Sequence, residues 1–406
     1  MAGVPRAADG DRVPWLDGMR GLAVLLVMAV HLPSVTRVPS PSRFDRAVTM
    51  LSQNGWIGVD LFFVLSGMLI TGILLDTKGS IGYWRRFYVR RVLRIFPLYY
   101  AFLIAVFMLA PLMYPSEGGA VAELRHAETW FALYLTNGWV AARHGVDFNL
   151  FGTGPVWSLS VEEQFYLLWP FVVLLLSRRG LTVFCVGLVV FAAALRLVLL
   201  AAGAAPVVVY EATPARCDTL ALGALLALAL RDDTWRAQAL RHARPVSLAM
   251  VGLLVLLGIA CHGLAWPDKR VLVYGLTPIA LLMASLVAQG FRGGAVAAAF
   301  SASPMRWLGR YSYAIYLFHL PIGVWLCEHW HAQTRLMAHG IPEAVADPLC
   351  WLAVSAITFA AAWVSWQVYE KQFLKLKRFV RYERGVEVAP VPVAASIPVE
   401  VMAETA

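Results

Sequence analysis

Apolar runs near twenty residues long recur along almost the whole chain, and no other feature restricts the fold as much. A run of that length crosses a bilayer as one helix. The 406 residues are 60% apolar and only 15% charged, with a mean hydropathy of +0.66. A soluble domain is about 45–50% apolar and about 25% charged. A soluble enzyme is excluded, and the chain reads as a polytopic membrane protein. Lys and Arg outnumber Asp and Glu by 34 to 25, a net charge of +9. In a soluble protein that balance would raise nucleic-acid binding. Here the basic residues fall between the apolar runs, so they mark cytoplasmic loops instead.

Ten spans follow from the runs, near residues 15–35, 55–75, 96–114, 156–177, 181–202, 216–230, 246–264, 271–290, 310–330 and 349–371. With the N-terminus inside, the segments 1–20, 76–95, 178–179, 231–245, 291–310 and 371–406 are cytoplasmic and hold 24 of the 34 basic residues. The asymmetry holds at every crossing. The expected fold is an all-α polytopic membrane protein of about ten transmembrane helices with both termini cytoplasmic. The first run resembles a signal peptide in length, but Leu32-Pro33-Ser34 follows His31 where a small-x-small cleavage site would stand. The external stretch 115–155 contains Trp130-Phe131-Ala132-Leu133-Tyr134-Leu135. Counting it as a span would invert every later loop, so it is placed as an interfacial or re-entrant piece. The five cysteines lie singly and read as small core residues, with neither a disulfide frame nor a metal site. The tail from about Val386 is Pro/Val/Ala/Glu-rich and is expected to be disordered. Nothing remains for a soluble catalytic domain, so any chemistry takes place in the membrane.

An ionisable group within a span costs roughly 2.5–3.5 kcal/mol on insertion scales, which makes each one a candidate for function. The first span carries Arg20 and His31. Eleven residues at 100° each bring both onto one face, roughly 16 Å apart along the axis. A snorkelling Arg and an interfacial His are the alternative. Between the second and third spans, Arg90, Arg91 and Arg94 precede Ile95-Phe96-Pro97. Pro97 suits the first turn of the third span, whose N-terminus beside the arginines then forms a site for phosphate. Retention by the positive-inside rule, or lipid headgroup contact, is the alternative. The fourth span holds adjacent Glu162 and Glu163. Neighbours on a helix point about 100° apart, so one faces the cavity and the other holds a structural partner. Arg216 or Asp218, at the outer end of the sixth span, is a candidate for the same polar cluster, with Arg216 the candidate partner of the second glutamate. The glutamates lie at a depth comparable with His31, and a carboxylate beside a histidine is the arrangement of a general base with its orienter. The ninth span adds Tyr313, Tyr316 and His319, which also suit a hydrogen-bonded core. There is no GxSxG elbow, HExxH, P-loop or GxGxxG. His329-Trp330-His331 lacks partners at metal-ligand spacing.

Over residues 14–375 the chain resembles the membrane acyltransferase-3 family, O-acyltransferases of bacterial surface sugars, sugar-bearing lipids, Nod factors and macrolides. The resemblance rests on Leu16-Asp17-Gly18-Met19-Arg20 followed by His31, and on Gly58-Val59-Asp60-Leu61-Phe62-Phe63-Val64-Leu65-Ser66-Gly67. It continues through Arg91-x-x-Arg94-Ile95-Phe96-Pro97 and Trp157-Ser158-Leu159-Ser160-Val161-Glu162-Glu163-Gln164-Phe165-Tyr166. Pro214-x-Arg216-x-Asp218 and Gly309-x-Tyr311-Ser312-Tyr313-x-Ile315-Tyr316-Leu317-x-His319 follow in the family's order. The family's final Pro is absent from Tyr369-Glu370-Lys371-Gln372.

The resemblance implies transfer of an acyl group, often acetyl, from cytoplasmic acyl-CoA to a hydroxyl of a carbohydrate, glycolipid or macrolide-like acceptor in a bacterial inner membrane. It places function on Arg20, His31, Arg91 and Arg94. His31, Glu162, Glu163 and Arg20 are then the catalytic candidates, and Arg90, Arg91 and Arg94 the acyl-CoA site. Asp60, Ser66, Arg216, Asp218, Tyr313 and His319 form a polar cluster for substrate or structure. No bound cofactor, metal or nucleic acid is expected. His31 deprotonates an acceptor that attacks the thioester directly, since no nucleophile elbow supports an acyl-enzyme. The implied division is a cytoplasmic segment 1–14, a transmembrane acyltransferase domain 15–375 and a basic, then disordered, cytoplasmic tail 376–406. Longer members carry an appended esterase-like domain, and this chain is expected to act without one. The rival reading is an exporter or flippase of a lipid-linked or glycosylated product. It calls for repeated halves or Gly/Pro-broken helices in both, and neither is found.

Overall fold

The computed structural model describes residues 13–36, 48, 52–115, 117–145 and 149–380. The segment before Val13 and the tail after Val380, with its expected disorder, lie outside them. Ten long helices carry the architecture: α1 Pro14–Val35, α2 Gly58–Thr77, α3 Tyr83–Met113, α4 Val156–Leu175, α5 Arg178–Ala201, α6 Thr213–Ala229, α7 Asp233–Cys261, α8 Leu276–Arg292, α9 Ser303–Gly323 and α10 Glu343–Ser365. No strand occurs among the described residues. Seven of the ten, α1, α2, α3, α5, α7, α8 and α10, lie in helical stretches long and apolar enough to cross a membrane. The other three, α4, α6 and α9, carry Glu162, Arg216 and His319, and they pack among the seven. Buried charges also occur on α2 (Asp60) and α5 (Arg196), and each is paired, since a charged side chain is cheaper against protein than against lipid. The five cysteines are free thiols.

The arginine segment differs from its expected form. A left-handed Gly82 (φ 79°) opens α3, which then runs without a break from Tyr83 through Pro97. Tyr83 and Tyr88 dock the first turns on α4 by donating their hydroxyls to the carbonyls of Pro170 (3.0 Å) and Leu167 (2.8 Å). Pro97 therefore lies inside a helix, where its ring removes one backbone bond. Nearby carbonyls are met from the side, Ile95 by the Tyr313 hydroxyl (3.0 Å) and Pro97 by that of Tyr369 (3.2 Å). Arg91 and Arg94 are mid-helix residues, so the expected anion site at a helix N-terminus does not form.

The stretch after α3 folds into short helices, Gly118–His126, Glu128–Ala132 and Thr136–Ala142. A left-handed Tyr134 (φ 54°) breaks the apolar run Trp130–Leu135, so no long helix forms there. Tyr134 stacks on Tyr99 with centroids 4.1 Å apart. Gln164 of α4 donates to the Tyr134 carbonyl (2.9 Å) and to Asn137 Oδ1 (3.1 Å), pinning the piece to the bundle. Irregular backbone survives in a membrane protein where protein buries it in this way.

Two close approaches set the positions of the polar residues. A Cβ on Gly309 of α9 would overlap the Asp17 carbonyl oxygen, so α1 and α9 meet backbone to backbone. Gly67 of α2 meets Leu220 of α6 in the same manner, with the Leu220 carbonyl oxygen where a Cβ would stand. Small residues at a helix crossing permit this approach. Across the α2–α6 contact, Arg216 donates to Asp60 at 2.8 Å, both fully buried. Arg196 of α5 makes a second buried pair with Asp218 at 2.9 Å, and Thr277 of α8 donates to the same carboxylate at 2.7 Å.

Candidate active site

Two chambers lie along α1, one at the end where that helix begins and one toward its far end. The first, about 100 Å³, is lined by Arg20, Ser66, Arg91, Arg94, Glu162 and Tyr313 among others. Arg20 reaches Asp17 at 3.2 Å. The guanidinium of Arg91 lies 5.4 Å from the Tyr166 ring centroid. Glu162 accepts a short hydrogen bond from Ser66, whose hydroxyl also accepts from Tyr166 at 3.0 Å. Three guanidinium groups against the carboxylates of Glu162 and Asp17 leave an excess of positive charge, which suits a polyanionic ligand. Arg90 is turned elsewhere: it donates to the carbonyls of Val380 (2.9 Å) and Lys377 (3.4 Å).

The second chamber, about 300 Å³, is lined by His31, Ser34, Asn149 and Glu211 with Trp56, Trp157, Tyr210 and Trp266. Val59 and Tyr316 line both chambers. The Tyr316 hydroxyl bonds Ser158 at 2.5 Å and donates to the Pro155 carbonyl at 3.0 Å, holding the ring between the two spaces.

His31 Nδ1 lies 3.0 Å from His319 Nε2. His319 Nδ1 lies 2.8 Å from the Tyr316 carbonyl and 3.1 Å from that of Ile315. Carbonyls only accept, so the His319 proton resides on Nδ1 and its Nε2 presents a lone pair. The hydrogen bond between the rings then requires the proton of His31 on Nδ1. The remaining nitrogen, His31 Nε2, is the basic one. Two histidines 288 positions apart thus fix one tautomer.

The partner of His31 is therefore a histidine, where a carboxylate was expected. Glu162 belongs to the arginine chamber, and Glu163 lines neither chamber. Arg216 pairs with Asp60 and not with a glutamate of α4, because the Gly67 contact brings α2 against α6. Asp218 is taken by Arg196, a residue the sequence reading passed over although it interrupts an apolar run. The aromatic wall of the second chamber also went unnoticed, since Trp and Tyr are common at membrane interfaces. Among the described residues, no three His, Cys, Asp or Glu side chains gather where a metal could bind.

The model of the acyltransferase-3 family, described as an acyltransferase domain, matches residues 13–367. The chain belongs to that family. It is a multi-pass protein of a bacterial membrane. It is 29% identical over 395 residues to the peptidoglycan O-acetyltransferase OatA of Listeria monocytogenes, covering 92% of this chain and 57% of the relative. A putative peptidoglycan O-acetyltransferase of Bacillus subtilis, YrhL, is 32% identical over 333 residues, 76% of this chain and 48% of its own length. The O-acetyltransferase OatA of Staphylococcus aureus is 29% identical over 343 residues, 78% and 52% of the two chains. The chain spans about half the length of these relatives. No solved structure matches.

Proposed function

We propose that the chain is an integral-membrane O-acyltransferase that moves an acyl group, acetyl in the first instance, from acyl-CoA to a hydroxyl of a carbohydrate acceptor. The hydrogen bond between His31 and His319 carries this reading, because it leaves a basic imidazole nitrogen on a residue that lines a chamber. The relatives named as peptidoglycan O-acetyltransferases favour a glycan as acceptor. In this reading ten helices cross the membrane, both termini are cytoplasmic and the arginine chamber faces the cytoplasm.

Arg20, Arg91 and Arg94 hold the phosphates of the donor by charge-assisted hydrogen bonds. The pantetheine arm extends along α1 past Tyr316, over the roughly 16 Å that separates Arg20 from His31. An acceptor hydroxyl in the second chamber gives its proton to His31 Nε2 as its oxygen attacks the thioester carbonyl carbon. The carbon–sulfur bond breaks, the ester forms, and the thiolate leaves with the proton returned by His31. His319 keeps accepting from His31 Nδ1 throughout, so the imidazolium stays oriented. The closed balance is one thioester and one alcohol consumed, one ester and one thiol formed.

The test compares envelope glycans and lipids by mass spectrometry in cells with and without the gene. An acyl mass lost on deletion, restored by the wild-type gene and not by His31→Ala, is the expected result. An unchanged acylation pattern would overturn the proposal.

A further inference from the structure

Neither base catalysis nor the buried Arg216 guanidinium, which lies 5.0 Å from the Tyr210 ring centroid and 5.9 Å from that of Trp157, requires Trp266 in the second chamber's aromatic wall. Tyr210 stands at its centre, with the Trp157 ring 5.0 Å away at 60°, Trp266 5.0 Å away at 30° and Trp56 5.8 Å away at 81°. Three of the four are nearly inaccessible, Trp157 at 7%, Tyr210 at 6% and Trp56 at 4%, so they do not form an interfacial belt turned toward lipid. Trp266 is half-buried and comes from the loop after α7. That loop is held in place from inside: the Trp56 indole donates to the Leu264 carbonyl at 3.0 Å. The polar groups sharing the chamber are hydrogen-bonding ones, the Glu211 carboxylate and the Asn149 amide, whose oxygen caps Gly154 N at 3.0 Å.

We infer that this aromatic wall is the acceptor subsite, and that it takes one neutral pyranose ring stacked on the face of Trp266 turned away from Tyr210, with its hydroxyls toward Glu211, Asn149 and His31. This rests on reading the His31 chamber as the acceptor side. A pyranose has one face of C–H bonds, slightly positive, that complements the negative face of an indole or phenol ring. Its rim of hydroxyls needs acceptors and donors such as a carboxylate and an amide provide. An acyl tail would need no carboxylate in the chamber. A polyanion would find no Lys or Arg among the described residues lining the chamber. The volume of about 300 Å³ is at the small end for ligand sites and fits a single ring rather than an oligosaccharide. A longer glycan therefore presents one residue at a time, with the rest outside the chamber.

The experiment uses the full chain purified in detergent, with methyl β-glucopyranoside and methyl β-N-acetylglucosaminide as ring probes and glycerol as an acyclic polyol. Saturation-transfer NMR reads binding without any need for turnover. Ring C–H protons of at least one glycoside should be saturated by the wild type and by Trp266→Phe, and glycerol should not. Trp266→Ala should weaken glycoside binding about tenfold, in line with removal of an aromatic stacking platform. Acetyl-CoA binding by Trp266→Ala, measured in parallel, should match the wild type and certify its fold. No glycoside signal in the wild type, or an equal signal in Trp266→Ala, overturns the subsite. Glycoside binding that responds to Trp266 while acetyl transfer fails for every acceptor sinks the acyl-transfer reading and leaves the subsite standing.

Discussion

A histidine in the membrane can act as a base only if its free nitrogen is the one that faces substrate, and in this chain His319 decides which nitrogen that is. The backbone carbonyls of Ile315 and Tyr316 hold the His319 proton on Nδ1, and the consequence passes through one 3.0 Å contact to His31. Replacing His31 with Ala should reduce acyl transfer by about 10²–10⁴, the usual contribution of general-base catalysis. His319 acts through His31, so its variants should separate by chemistry. His319→Leu offers no acceptor and should lower kcat while the KM for acyl-CoA stays at its wild-type value. His319→Gln can still accept from His31 Nδ1 through its side-chain oxygen and should recover part of that kcat. An equal fall in both variants would reduce His319 to a packing residue. The arginines divide in a similar way. Arg91→Ala or Arg94→Ala should raise the KM for acyl-CoA by about tenfold for each charge-assisted hydrogen bond removed. Arg90→Ala should not raise it, because the Arg90 guanidinium is spent on the carbonyls of Lys377 and Val380. Steady-state kinetics on the three variants checks the division.

At the scale of elements, function depends on how closely particular helices approach. The Gly309 contact brings α9 onto α1, and with it His319 onto His31. Gly309→Ala would press a methyl group into the Asp17 carbonyl, and the helices must separate to admit it. Turnover and detergent-phase melting temperature should fall together, and a Gly309→Ala protein with normal turnover would show that the His pair tolerates a wider crossing. The α2–α6 contact is held by the Asp60–Arg216 pair. Removing one partner of a buried pair typically costs about 3–5 kcal/mol, whereas exchanging both for apolar groups is often neutral. Arg216→Met should therefore melt well below wild type, and the Asp60→Leu/Arg216→Met double variant should regain much of the difference.

These approaches mark where the sequence was readable. The apolar runs give the helices, and the cost of a buried charge singles out Arg20, His31, Glu162 and Arg216 one at a time. Pairing was not readable, because Asp60 and Arg216 are 156 positions apart and His31 and His319 are 288 apart. Comparable depth in the membrane suggests Glu162 or Glu163 as the partner of His31, but depth does not say which helices touch. Pro97 is equally ambiguous: proline is common in a first helical turn, but here it lies within α3, and tyrosine hydroxyls from α9 and from the segment after α10 donate to the carbonyls around it.

For the whole molecule, the two chambers make sense only if they open to opposite sides of the membrane. The arginine chamber lies toward the start of α1, and the aromatic chamber toward its end. The turn between α2 and α3 lies on the arginine side, with Ile81 88% exposed. The loop between α7 and α8, which carries Trp266 and exposed Lys269, lies on the aromatic side. In the proposed ten-span topology the start of α1 and the end of α10 share the arginine side, in keeping with the excess of Lys and Arg expected there. Single cysteines at Ile81 and Lys269, introduced after the five native cysteines are replaced by Ala, turn this into a measurement. A membrane-impermeant maleimide added to spheroplasts should label Lys269→Cys and spare Ile81→Cys, and inverted vesicles should reverse the pattern. A third probe at Met337, in the segment between α9 and α10, should label with Lys269→Cys. If Ile81→Cys and Lys269→Cys label from the same side, an odd number of helices is miscounted between them. Acyl-CoA and acceptor would then meet on one face, and the passage along α1 past Tyr316 would have no purpose.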